Sequence, residues 1–77
     1  MPPLQDLRPG ESATLTEVHG QRSFRRRLLE LGLVPGTEVR LLRHSRVHHL
    51  VEVEARGSRL SLRTSEAARL MVSAPKA

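Results

Sequence analysis

The chain has no cysteine, which rules out disulfides and thiolate metal sites and makes a reducing cytoplasm the expected location. It has no tryptophan or tyrosine, and Phe24 is its sole aromatic residue. The stacking platforms of single-strand and RNA binders therefore have nothing to be built from. A polyproline groove cannot be lined either. No run approaches the roughly 20 apolar residues of a membrane span, and MPPLQDLRPGE at the N-terminus lacks a basic head followed by an apolar stretch. A soluble, unexported protein is expected. No GxxxxGK[ST] loop is present, and Glu52 and Glu54 alternate on a solvent face beside many arginines, which marks them as surface charge. Neither an enzyme nor a small-molecule substrate is expected.

Lysine is scarce as well: Lys76 is the only one among thirteen basic side chains, and the rest are arginine. The formal charge is +5 and the pI about 11.5. That balance suits nucleic acid, anionic lipid or an acidic protein without choosing between them. At 77 residues the chain is read as one domain over 1–77 with its core in 4–72, since two cores would leave each half too small to fold. Met1 to Pro3 and Ser73 to Ala77 read as linker-like ends.

The pattern predicts a mostly β fold, a small barrel of about five antiparallel strands with one short α-helix between the first and second. After the Pro9-Gly10 turn, SATLTEV alternates with Ala13 and Leu15 inward. With Ser23 as N-cap, Phe24, Leu28 and Leu31 recur at i, i+4 and i+7 and are assigned to the buried helix face. Gly32 is placed at a left-handed C-cap, with Leu33 packed back on Leu28 as in a Schellman motif. Pro35-Gly36 fits a type II turn. EVRLLRH, LVEVEA and RLSLR form a meander, joined by a bend at Ser45 to His49 and a turn at Arg56-Gly57-Ser58. Thr64 to Arg69 makes one helical turn, capped by Thr64 or Ser65, before Leu70 to Val72 ends the domain as a short strand.

Two sets of residues are candidates for function. His44, His48 and His49 fall within six residues at a bend; solvated loop histidines are the plainer reading, and the sharper one has His44 and His48 converge on a weakly bound divalent metal, zinc or ferrous iron, with His49 pointing away. No cofactor is expected to be required. On the helix, Arg22, Arg25, Arg26 and Leu29 are assigned to a partner-binding outer face. Arg25, Arg26 and Arg27 sit early in the helix, where the dipole disfavours each cation by roughly 0.3 to 1 kcal/mol. Local stability does not account for them. A solvated arginine face is the plainer reading, and a partner surface the sharper one.

LQDLRPGESATLTEV, RRRLLELGLVPGTEVRLL and VEVEARGSRLSLRTSEAARLMV together resemble the FeoA family of small cytoplasmic proteins associated with bacterial ferrous iron uptake. The likeness runs from Leu4 to Val72. The resemblance implies an SH3-like barrel and a partnership with FeoB, the membrane GTPase that carries ferrous iron inward. The family pattern has a Pro- and Gly-containing stretch where this chain has HSRVHHL. The implied function is a non-enzymatic accessory module that binds and modulates an FeoB-type transporter at the cytoplasmic membrane face. A basic nucleic-acid-binding barrel is the alternative, distinguishable by its steep salt dependence.

Overall fold

A computed structural model describes residues 2–74. A 3-10 turn, Leu4–Asp6, leads into β1 (Ser12–Val18); α1 (Arg22–Glu30) follows, then β2 (Glu38–Ser45), β3 (Leu50–Ala55), β4 (Ser58–Arg63), α2 (Thr64–Ala67) and β5 (Leu70–Val72). Alternation governs the strands. Ala13 and Leu15 of β1, Val39 and Leu41 of β2, and Val51, Val53 and Ala55 of β3 turn into one core with Leu4, Leu28, Leu33, Leu62, Leu70 and Val72.

The five strands form one antiparallel sheet in the order β4-β3-β2-β1-β5. β1 divides its partners: Ser12 to Thr14 pair with β2, while Leu15 to Val18 pair with β5 across an irregularity between Leu15 and Glu17. A second irregularity interrupts β2 between Leu41 and Arg43. Such bulges bend and twist strands, which curls the sheet over its core. The expected barrel is not closed by hydrogen bonds, because the sheet is open and β4 and β5 are its edges. Short helical pieces occupy the gap: α2 touches β3, β4 and the 3-10 turn, and that turn touches β5.

The ends are not wholly linker-like. The Pro2 carbonyl accepts the Val72 N–H, Pro3 bridges to Met71, and the Ser73 N–H donates to the Thr14 carbonyl at 2.8 Å. The remaining end residues, 1 and 75–77, lie outside the described residues.

The start of α1 differs from the sequence expectation. Its N-cap is Gln21, with no side-chain cap bond, and Ser23 lies inside the first turn. Its C-terminus follows the expected geometry: Leu31 is the C-cap, Gly32 adopts φ +85°, its N–H donates to the Leu29 carbonyl at 3.0 Å, and the Leu33 N–H donates to the Leu28 carbonyl at 2.8 Å. These are the two bonds of a Schellman motif. The reversal buries Leu33 in place of Leu31, which remains 48% exposed. The Pro35-Gly36 turn closes with the Thr37 N–H on the Val34 carbonyl, and the Gly36 N–H then reaches the Leu15 carbonyl at 2.7 Å. Gly36 carries the positive φ, +97°, that a type II turn requires.

α2 is capped differently from the expectation too. Arg63 is its N-cap, and the Glu66 carboxylate accepts the Arg63 N–H at 2.9 Å. The Thr64 hydroxyl instead donates to the His49 carbonyl at 2.8 Å. Glu66 also pairs with Arg27, tying α2 to α1. Partial burial would push the Glu66 carboxyl up, but the Arg63 N–H and the hydrogen bond and charge of Arg27 outweigh it, holding the group below its ordinary value of 4.5.

Leu28 is completely buried, so Leu28→Ala is expected to lower unfolding free energy by about 2 to 5 kcal/mol in denaturant titrations. At Gly32 an added Cβ would meet only the flexible end of Arg56, at 3.4 Å. Gly32→Val therefore destabilises through backbone strain, by about 1 to 2 kcal/mol; an unchanged melting midpoint would contradict the cap. The depressed Glu66 value contributes stability that is present above 4.5 and is lost as pH falls through the folded-state value. Melting curves of wild type and Glu66→Gln should accordingly differ at neutral pH and converge on acidification.

Candidate functional site

α1 presents two unlike faces because one side is held by the core. Leu28 is fully buried, whereas Leu29 is 61% exposed. Arg22, Arg25 and Arg26 share the exposed side with Leu29, as the 3.6-residue repeat requires. The Schellman reversal then returns the chain alongside the helix. Leu33, Val34 and Pro35 join Val18 from the end of β1, and with the three arginines and Leu29 they line an open groove of about 400 Å³. All four sequence-assigned partner residues are thus brought together. Val18, Val34 and Pro35 were missed; the Gly32 and Pro35-Gly36 signals were the available clue that the chain doubles back here.

The run Arg25-Arg26-Arg27 is divided by the fold. Arg27 pairs with Glu66, and its guanidinium lies 5.7 Å from the Phe24 ring centroid; Arg69 approaches the same ring at 5.5 Å. Arg27 has a structural task. Among the described residues, no carboxylate forms an ion pair with Arg22, Arg25 or Arg26. The first turn of α1 contains no acidic residue. The groove therefore sets three arginines without ion-pair partners among the described residues beside an apolar surface.

The histidine bend is arranged otherwise than expected. His44 shares a hollow with His49, whereas His48 lines a separate one with Arg43, Ser45, Leu50, Glu52 and Ser61. The backbone decides this division: the His48 N–H turns onto the Ser45 hydroxyl at 3.3 Å, and His49 adopts φ +54°. Among the described residues, no group of three or more His, Cys, Asp or Glu side chains could hold a metal ion. His44 and His48, the pair assigned to converge, thus line different hollows. Glu52 lies in register with Arg43, and Glu54 with Arg40 and Arg59, a charge-matched strand surface.

A family model described as the FeoA domain matches residues 3–74. Comparison with curated proteins returns no match. Among solved structures, the solution structure of the FeoA protein from Chlorobium tepidum is 36% identical, with a TM-score of 0.84 over 91% of this chain and 67% of that one. The zinc complex of FeoA from Stenotrophomonas maltophilia is 34% identical, with a TM-score of 0.78 over 95% of this chain and 91% of that one. That protein is described as a prokaryotic SH3 domain protein and a candidate activating factor for ferrous iron transport. A manganese-dependent transcriptional repressor shares the fold, with a TM-score of 0.88 at 16% identity over 94% of this chain and 40% of that one.

Proposed function

This chain belongs to the FeoA family, and from that premise we propose that it is a non-enzymatic accessory protein of ferrous iron uptake, which binds the cytoplasmic part of an FeoB-type transporter and modulates its activity. The observation that carries this reading is the groove along α1. It joins exposed Leu29 to three arginines without ion-pair partners among the described residues. Arginine next to a desolvating apolar group is the combination that dominates interface energetics. Unpaired guanidiniums select an acidic partner and speed encounter with it. The complementary surface is an acidic segment carrying an apolar anchor that seats against Leu29, Val34 and Pro35.

A membrane-bound partner suits the charge a second way, since each basic group close to an anionic leaflet gains about 1 kcal/mol. No helix among the described residues is long and apolar enough to cross a membrane.

The test is a variant carrying Arg22→Glu, Arg26→Glu and Leu29→Ser. All three positions are exposed, so the melting midpoint should stay near that of wild type. Association with the transporter's cytoplasmic domain should weaken by more than about tenfold, and ferrous iron uptake in cells should change with it. Pull-down and uptake at wild-type levels in the folded triple variant would refute the groove as the contact surface. Retention of DNA or RNA at physiological salt, lost steeply as salt rises, would favour the nucleic-acid reading instead.

A further inference from the structure

A second concavity shares no residue with the α1 groove. The 3-10 turn and the residues after it supply Gln5, Asp6, Arg8 and Pro9; β2 supplies His44, the bend Arg46 and His49, and α2 its first residue, Thr64. The hollow is a solvent-open depression of about 710 Å³.

Two observations mark it as a built feature. His49 holds a left-handed backbone, φ +54°, and its carbonyl accepts both the Thr64 N–H at 2.9 Å and the Thr64 hydroxyl at 2.8 Å. Such a backbone is uncommon outside glycine and persists where its surroundings hold it. Thr64 thereby fixes the bend carrying Arg46 and His49 against α2. The second observation is charge. Among the described residues no carboxylate forms an ion pair with Arg8 or Arg46, and Asp6, in the same hollow, pairs with neither. With both imidazoles neutral, the lining side chains carry one net positive charge, and the Glu11 carboxylate, outside the lining, is held on the Arg8 backbone N–H at 2.7 Å.

A metal cation would meet two guanidiniums here. An anion with several oxygens meets two donor forks and the imidazoles of His44 and His49. Arginine forks match phosphate oxygens in a planar, bidentate fashion. We propose that this hollow binds a phosphate-bearing anion, with Arg8 and Arg46 as its principal contacts. The phosphate could be supplied by a soluble di- or triphosphate or by a lipid headgroup, and the two sources separate by experiment.

Isotope-labelled protein would be titrated with inorganic pyrophosphate, with amide shifts recorded, and sedimented in parallel with phosphatidylglycerol–phosphatidylcholine vesicles, both at about 0.15 M salt. Pyrophosphate is expected to shift the amides of Arg8, Arg46, His49 and Thr64 in a saturable manner. The double variant Arg8→Gln/Arg46→Gln should weaken binding by about tenfold or more, while the charge-matched Arg40→Gln/Arg59→Gln stays within about twofold of wild type. All four arginines are exposed, so both variants should fold; Arg46→Gln alone, in the bend, should give a smaller loss in the same direction. Pyrophosphate binding with that sensitivity identifies a soluble phosphate, and vesicle binding alone with that sensitivity identifies a headgroup. Equal weakening by the two double variants, or no saturable binding of either probe, overturns the proposal.

Discussion

The burial of Leu28 is the contact on which α1, and with it the candidate partner surface, depends. At nine residues the helix is shorter than the roughly 12 to 15 that an isolated helix needs to be even marginal in water. Its first turn has neither a side-chain cap nor an acidic residue, and it opens on Arg22. Local energetics thus oppose the helix at its N-terminus. Burying Leu28 completely, and locking the far end through the Schellman bonds that bury Leu33, outweighs that opposition. Because Leu28 faces the core, Leu29 must face solvent, and the arginines one turn earlier face outward beside it.

Arg27 and Glu66 link this helix to the closure of the sheet. Glu66 accepts the N–H that starts α2 and pairs with Arg27 of α1. α2 in turn fills the opening between the β4 and β5 edges together with the 3-10 turn. Edges left bare would invite pairing with other chains. The two concave surfaces therefore share a scaffold without sharing residues: α1 and the chain reversal shape one, and the bend pinned by Thr64 shapes the other.

Much of the backbone was legible because its signals are short-ranged. The Ala13 and Leu15 alternation, the Gly32 terminus and the Pro35-Gly36 turn each rest on residues within a few positions of one another. The errors have a common cause in long-range contact. Leu31 fits the helical period of Phe24 and Leu28, yet the chain reversal places Leu33 in the core instead. Thr64 has the chemistry of a cap, but its hydroxyl is taken by His49, fifteen residues away in sequence. Gln21, a residue no capping preference selects, precedes a helix that is held from its other face.

From the residues in order follow the strand pattern, the helix and its left-handed stop, the excess of arginine, the lack of thiol chemistry and the family likeness. Those properties are set by composition or by neighbours along the chain. Docking of the elements determined that Arg27 pairs with Glu66 while the arginines along the groove have no ion-pair partner among the described residues. It also determined that His44 sides with His49 rather than His48, and that the gap between the sheet edges is occupied by helical turns and not by a fifth ladder. Spacing cannot supply such assignments. A side chain's partners depend on the bulges, turns and packing of every element between them, and those displacements accumulate only when the whole chain is folded.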